Sequence, residues 1–394
     1  MQITKEESNP NSGRTLSKSQ LERYSRQILL SEIGVRGQMK LRESKVAIVG
    51  VGGLGSPAAL YLAAAGVGVI GLIDADRVDL SNLHRQILHD DHYQGKSKTQ
   101  SGRHRLENVN PEVQVVEHPE WLTSKNATEI LSGYDVVVNG CDNFPTRYLV
   151  NDACVLLDKP LVDACILRWE GHVQVFRKGK GCYRCLFPHP PEPGTVPSCA
   201  EAGIVGAVAG TMGSMQALET IKILLQLDSV LDEHTLTYHV LSGEFYKFRR
   251  MKRKDCPVCG EEPTVHALMD YEEFCGFTPS TASEPISSSF EIALEDAVSY
   301  YGDEQTIWVD VRKQKEYMSG HIPKTLHLPL DELQERSSEL PEKKRIMLVC
   351  KSGKRSLKAA EILNDCGFSR VFSLSGGMLD WENRGYPMKN GTEE

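Results

Sequence analysis

Near-continuous apolar runs recur through the first half of the chain: KVAIVG at 45–50, VGVIGLID at 67–74 and YDVVVNG at 134–140. They do not alternate with polar residues, so each predicts a strand covered on both faces. Between the first two, Ser56-Pro57 supplies an N-cap and a first helical position for ALYLAAAG. Strand, crossover helix, strand predicts an α/β, doubly wound (Rossmann-like) sheet. From residue 290 a smaller α/β pattern follows, with strands at 306–311, 346–350 and 371–374 and helices near 291–301 and 356–366. Between the two patterns, TPSTASEPISSS at 278–289 has no periodicity and reads as a linker, with a reach of roughly 20 Å. The expected organisation is a frayed tail over 1–20, one domain over 21–277, the linker, and a second domain over 290–394.

GIVGAVAGTMGSMQAL at 203–218 is the most apolar stretch. It falls short of the ~20 apolar residues that span a bilayer. Gly206 and Gly210 have the spacing of membrane helix pairing, but a buried helix whose small residues admit another backbone is the expectation. No membrane partner is implied. The polar start, Met1 to Arg14, has no apolar region of a signal peptide or anchor. A net charge of −8 gives no support to nucleic acid as a partner. Eleven cysteines without a secretory signal fit a reducing, cytoplasmic setting, where thiols serve metals and catalysis.

Four of those cysteines form two pairs, Cys182-Tyr-Arg-Cys185 and Cys256-Pro-Val-Cys259. Two such pairs complete the sulfur tetrahedron that Zn²⁺ prefers. The alternatives are two redox dithiols or four unrelated core cysteines. A thioredoxin-like site opens a helix, which Cys185-Leu-Phe-Pro188 does not suggest, so structural zinc is the stronger reading.

Gly50-Val-Gly52-Gly53-Leu-Gly55 places G-x-G-x-x-G between strand and helix, where backbone N–H groups receive phosphate. Asp74 closes the next strand at the position that usually binds ribose. These features alone suggest an NAD-dependent dehydrogenase. The following segment does not: Asp76-Arg77-Val78-Asp79-Leu80-Ser81-Asn82-Leu83-His84-Arg85-Gln86, then Lys98, then Asp142-Asn143 at the third strand's end. A carboxylate there suits Mg²⁺ beside a triphosphate, and the cations suit phosphate charge.

Together GVGGLGS, DADRVDLSNLHRQ, Lys98, CDNFPTRY and the CYRC/CPVC pairs resemble the ubiquitin-activating superfamily, in its MoeB/ThiF type, across roughly residues 20–270. The resemblance implies a reaction between MgATP and the C-terminal glycine of a ubiquitin-like sulfur carrier, giving an acyl-adenylate and pyrophosphate. It implies that Gly52 and Gly53, within the turn bounded by Gly50 and Gly55, line the phosphates. Asp74 would hold the ribose. Ser81, Asn82, Arg85 and Lys98 would contact the nucleotide, and Asp142, with Asn143 beside it, would carry Mg²⁺. Arg23-Tyr-Ser-Arg26-Gln27 resembles a motif whose second arginine acts in trans, which implies a homodimer. The resemblance also gives the four paired cysteines a structural zinc role.

Two further cysteines stand in suggestive settings. Cys199, in VPSCAEAG, resembles the family's position for the thiol that meets the activated carboxylate. Cys350 ends a strand and opens Cys350-Lys-Ser-Gly-Lys-Arg355 ahead of a helix, a loop whose N–H groups and cations favour a thiolate. The loop is one residue shorter than that of cysteine phosphatases and suits a single sulfur atom. With Asp310-Val-Arg312, GHIP at 320–323 and SGG at 375–377, it resembles a rhodanese domain across 290–390, with Lys351 where arginine is commoner. Asp310, Arg312 and His321 are expected to hold the fold. Cys141, Cys154, Cys165, Cys275 and Cys366 are expected to be packing residues.

The expectation is therefore an adenylyltransferase fused to a sulfurtransferase of the molybdopterin-synthase type. A cysteine desulfurase or thiosulfate would load Cys350. Carriers of the molybdopterin, thiamine, cysteine and tRNA-thiolation pathways all offer a Gly-Gly tail.

Overall fold

In the computed structural model, which describes residues 15–191, 203–276, 290–341 and 343–391, the apolar runs become strands of two separate sheets. The chain divides accordingly into two units, Met1–Pro279 and Ser280–Glu394. The expected linker and Cys199 lie outside the described residues.

The larger sheet contains β1 (Lys45–Val49), β2 (Val69–Ile73), β3 (Gln114–His118), β4 (Val136–Asn139), β5 (Leu161–Leu167), β6 (Glu170–Phe176), β7 (His234–His239) and β8 (Glu244–Arg249). Their order is β3-β2-β1-β4-β5-β6-β7-β8. β1 to β5 run parallel, as the doubly wound expectation requires. β5 to β8 add an antiparallel extension that the sequence reading did not contain. The turn between β5 and β6 is only Arg168-Trp169, with Arg168 at φ 58. Such two-residue turns favour Asn or Gly, and neither is present to signal this one.

Both faces of the parallel half are covered. Val46 and Ile48 of β1 join a core with the helices Gly55–Ala64 and Gly206–Leu225. Ala47 and Val49 join another with the helix Phe144–Leu156. Gly206–Leu225 is the buried helix expected from residue 203 onward, and its small residues do admit a neighbouring backbone. A Cβ on Gly206 would lie 2.2 Å from the His84 carbonyl oxygen, and one on Gly213 2.3 Å from that of Leu54. Gly210 meets nothing within 4 Å, so the close approach uses Gly206 and Gly213 instead. No helix among the described residues is long and apolar enough to cross a membrane.

The expected tail over 1–20 reaches too far. Ser17 and Gln20 form a capping box that starts the helix Lys18–Arg23, and Leu16 is buried.

In the second unit, β9 (Glu291–Ile292), β10 (Thr306–Asp310), β11 (Leu326–His327), β12 (Arg345–Val349) and β13 (Val371–Leu374) form a parallel sheet ordered β11-β10-β12-β13-β9. The helix expected near 291–301 is shorter, Leu294–Val298, because Glu291 and Ile292 pair with the end of β13. The helix Lys354–Asp365 leaves β12, and Gly377–Asn383 leaves β13.

Candidate functional site

The glycine turn leaves β1 at its C-terminal end, where open α/β sheets bind ligands. Gly50 takes φ 86, and a Cβ there would lie 2.9 Å from Gly140. A Cβ on Gly55 would fall 2.0 Å from the Gly50 carbonyl oxygen. These two glycines close the turn against the end of β4. Gly52 and Gly53, between them, have no such backbone clash and are half-buried.

Asp74, just past β2, is buried and locks the turn: its Oδ2 accepts from Val51 N–H and its Oδ1 from Asp76 N–H, both at 2.8 Å. Burial pushes its carboxyl above the ordinary range, and Lys98 pulls it back. Lys98 opens the helix Lys98–Val109; its buried ammonium lies 2.7 Å from Asp76 and 3.9 Å from Asp74. Asp76 is thus the partner that holds Lys98. It lies in the mixed polar run 76–86, where nothing in the local pattern singles it out.

Asp79 caps the short turn Leu80–Asn82, accepting from both N–H and hydroxyl of Ser81. Arg85 is braced on that turn, its Nη2 donating to Asn82 Oδ1 at 2.6 Å and its Nη1 to the Ser81 carbonyl at 3.1 Å. Its Cγ lies 3.5 Å from where a Gly53 Cβ would be. The aliphatic stem of Arg85 therefore packs beside the glycine turn, while its guanidinium is held on the Leu80–Asn82 turn.

Asp142 is exposed beyond β4. Asn143 caps the helix Phe144–Leu156, its side chain accepting from Thr146 N–H at 2.9 Å, so its carbonyl oxygen has a structural task. Behind them lies a buried polar network that the sequence reading missed. Arg147 Nη1 pairs with both Asp163 oxygens at 2.9 and 3.0 Å, and its Nη2 donates to the Cys141 carbonyl at 3.2 Å. Asn139 and Gln174 also donate to Asp163. Arg147 fixes the backbone one residue before Asp142. Its only signal was membership of CDNFPTRY.

Arg26 is exposed on the short helix Ser25–Ile28.

The four paired cysteines converge although about seventy residues separate the pairs. Their sulfurs all lie within 4.8 Å of one another, with Cys182–Cys256 at 3.6 Å and Cys185–Cys259 at 3.4 Å. A zinc tetrahedron with Zn–S near 2.3 Å separates its sulfurs by about 3.8 Å, so the residues fit that ion. Arg253 N–H donates to Cys185 Sγ, an outer contact of the kind that steadies a thiolate ligand. Between Cys182 and Cys185, Arg184 enters the core and pairs with buried Asp152, which also accepts from the Tyr271 hydroxyl. That buried pair pins the loop to the helix Phe144–Leu156.

In the second unit, Cys350 follows β12 directly and is 1% exposed. Gly353 takes φ 91 to turn the loop into its helix. The Cys350 carbonyl accepts from Met378 N–H at 2.8 Å, and a Cβ on Gly377 would lie 2.3 Å from that carbonyl. Arg355 ends the loop and pairs with Glu316 through two hydrogen bonds, of 2.8 and 2.7 Å. These bonds hold the Glu316 carboxyl below the ordinary range. Asp310 and Arg312 form a buried pair, and Arg312 also donates to the Gly320 carbonyl. His321 stacks on Tyr317 at 3.9 Å. All three hold the fold, as expected.

Among the remaining cysteines, Cys141, Cys154 and Cys275 are buried packing residues. Burial pushes the Cys141 and Cys275 thiols up to about 11. Cys165 is half-buried. Cys366 is a correction: it is exposed, because it caps the end of the helix Lys354–Asp365 beyond its packed face.

The family model ThiF matches residues 24–258, and that of the rhodanese-like domain matches residues 294–384. The chain belongs to the ThiF family. It carries a rhodanese-like domain behind the ThiF region. It is 42% identical over 381 residues to the adenylyltransferase and sulfurtransferase MOCS3 of Drosophila yakuba, covering 93% of this chain and 84% of that one. It is 41% identical over 398 residues to the Mus musculus protein of the same name, covering 93% and 86%. Among solved structures, E. coli MccB with ATP matches at a TM-score of 0.52 and 26% identity, over 60% of this chain and 74% of that one. E. coli MccB with MccA-N7isoASN matches at 0.55 and 25%, over the same shares.

Proposed function

We propose that this chain adenylylates the C-terminal glycine of a ubiquitin-like sulfur carrier ending in Gly-Gly, then supplies the sulfur that makes it a thiocarboxylate. One observation carries the reading. The first unit gathers the glycine turn, Arg85, Lys98 and Asp142 at one sheet edge, and the second holds Cys350 in a tight loop ending in Arg355. The ThiF and rhodanese-like regions, and relatives named for both activities, support the same pairing.

In this reading Gly52 and Gly53 offer backbone N–H groups to the ATP phosphates, and Asp74 takes the ribose. Ser81, Asn82, Arg85 and Lys98 surround the phosphate chain, with Lys98 exchanging its Asp76 contact for phosphate. Arg26 comes from the second copy of a homodimer. Asp142, with Asn143 beside it, would hold Mg²⁺, which neutralises phosphate charge when bound. The four paired cysteines would hold Zn²⁺ as a structural ion. The carrier carboxylate attacks the α-phosphorus and pyrophosphate leaves. A cysteine desulfurase or thiosulfate loads Cys350 as a persulfide, whose outer sulfur attacks the acyl carbon while AMP leaves. Cys199 then attacks the Cys350 sulfur of the acyl disulfide, forming an enzyme disulfide and releasing the thiocarboxylate. This thiol chemistry suits the reducing cytoplasm.

The test incubates the chain with MgATP and each Gly-Gly carrier in turn. Carrier-dependent ATP–pyrophosphate exchange is expected with at least one of them. With a sulfur donor, that carrier should gain the mass of sulfur replacing oxygen. No exchange with any carrier, together with hydride transfer to NAD(P), would mean a dehydrogenase instead.

A further inference from the structure

Two buried serines lie beneath the Cys350 loop, and the reaction above uses neither. Ser356 stands in the first turn of the helix Lys354–Asp365, and Ser373 in the middle of β13. Both are 0% exposed. Ser373 pairs in register with Leu348 of β12, and Val371 of the same strand and Ala359 and Ala360 of the same helix as Ser356 belong to the unit's apolar core. The two hydroxyl oxygens are 2.8 Å apart. Ser356 Oγ is also 3.4 Å from Cys350 Sγ and 2.9 Å from the Gly353 carbonyl oxygen. Ser373 Oγ is 3.3 Å from the same carbonyl.

Each hydroxyl has one proton to give and rotates to suit its surroundings. Two arrangements satisfy the group. In the first, Ser356 donates to the Gly353 carbonyl and accepts from Ser373. In the second, Ser373 donates to that carbonyl, which frees Ser356 to donate to Cys350 Sγ. The carbonyl keeps a donor in both, so passing between them leaves no buried loop acceptor unpaired.

We propose that Ser356 and Ser373 form a two-hydroxyl switch that gives Cys350 Sγ a hydrogen bond whenever that sulfur carries negative charge. The proposal rests on the reading of Cys350 as the sulfur-carrying thiol. With thiosulfate, the Cys350 thiolate attacks the outer sulfur, the Sγ–S bond forms, and sulfite leaves with the electron pair of the broken S–S bond. With cyanide, the nucleophile attacks the outer persulfide sulfur. Thiocyanate leaves, and the electron pair returns to Sγ as thiolate. That returning charge is where the Ser356 hydrogen bond forms. Ser356 touches the reacting sulfur and is a catalytic residue. Ser373 acts through Ser356 and is a positioning residue.

The test is thiosulfate:cyanide sulfur transfer by the full chain carrying Ser356→Ala, Ser373→Ala, both together, or Cys350→Ala. Ser356→Ala should lower kcat about tenfold, the effect of one hydrogen bond to a charged sulfur, with KM for thiosulfate within about twofold. Ser373→Ala should lower kcat about threefold, and the double variant should lose no more than Ser356→Ala alone, because the two act as one unit. Near-UV circular dichroism checks that each variant is folded. If alanine at 373 unfolds the unit, Ser373→Cys keeps the size with a weak donor and takes its place in the cycle. Wild-type kcat in Ser356→Ala, or losses that multiply in the double variant, would overturn the switch. Transfer surviving in Cys350→Ala would instead overturn the reading of Cys350 on which it rests.

Discussion

The loops after β1 and after β12 share one plan, strand to glycine-bearing loop to helix, yet they differ in where their chemistry resides. The first is a bare cradle. Gly50 and Gly55 let backbone pack on backbone, and the side chains proposed to meet the nucleotide come from elsewhere: Asp74 past β2, Lys98 on its helix, Arg85 from a separate turn, Asp142 past β4. In the proposed reaction the second carries its own reactive atom. Cys350, Ser356 and Arg355 fall within seven residues, and other elements only brace them, through Gly377, Ser373 and Glu316. A loop that binds a large nucleotide has to collect groups over a wide edge. A loop that is to store one sulfur, as proposed for Cys350, needs only a short run of chain around it.

The sharpest way to break this comparison is Cys350→Ala. Sulfur transfer from thiosulfate to cyanide should fall to background, at least about 10³-fold, since alanine has no atom to carry sulfur. Carrier-dependent ATP–pyrophosphate exchange should stay within about twofold of wild type. Loss of exchange as well would mean that the two loops are not separate centres.

Asp142→Ala reverses the pattern. Exchange should drop by about 10²–10³-fold, as when one preorganised charge-stabilising group is removed, while thiosulfate:cyanide transfer is unchanged. Retained exchange at ordinary Mg²⁺ would remove Asp142 from the site.

Cys182→Ser should separate the two units by stability rather than rate. Zinc sites in small domains contribute on the order of 10 kcal/mol of binding energy that couples to folding. Calorimetry should therefore show the first unit melting far lower, with zinc content reduced and the second unit's transition in place. A zinc-free variant with an unshifted transition would end the metal reading.

Glycine substitutions test the cradle itself. Gly55→Ala puts a methyl 2.0 Å from the Gly50 carbonyl and should cost about 2–4 kcal/mol in denaturant unfolding of the first unit. Gly210→Ala, in the same unit and facing open space within a helix, should stabilise by about 0.5–1 kcal/mol. Equal effects from the two would show that backbone approach is not what the turn requires.

The smallest effect concerns the brace on the second loop. Hydrogen bonding to Arg355 holds the Glu316 carboxyl below its ordinary range in the folded state. Its contribution is therefore complete above the ordinary glutamate pKa and is lost as pH falls through the lower, folded-state value. The second unit of the wild type should lose more stability than Glu316→Gln on acidification through that window, read as melting temperature against pH. Parallel curves would show that the pair contributes nothing.

What could be read in advance follows from distance along the chain. G-x-G-x-x-G, each C-x-x-C and the Cys350–Arg355 loop were legible because their chemistry needs neighbouring residues at fixed spacing. Parallel strands were legible because burial on both faces leaves an unbroken apolar run. The antiparallel strands β6 to β8 were not: β8 is exposed along its whole length, and the turn opening the extension lacks Asn and Gly. Leu16 and the Ser17 box were passed over because a polar start hid a short capped helix.

The sequence by itself determined the two α/β units, the glycine turn, the two cysteine pairs and the sulfur-type loop, because local spacing and apolar periodicity fix backbone conformation over a few residues. Only the tertiary structure decided which distant groups meet. It placed Asp76 on Lys98 and Arg147 behind Asp142, and it brought Cys182 to Cys256 and Ser373 to Ser356. Such meetings are set by strand order and by which face of a strand or helix turns inward, and both are settled by the packing of the whole sheet rather than by any short stretch of chain.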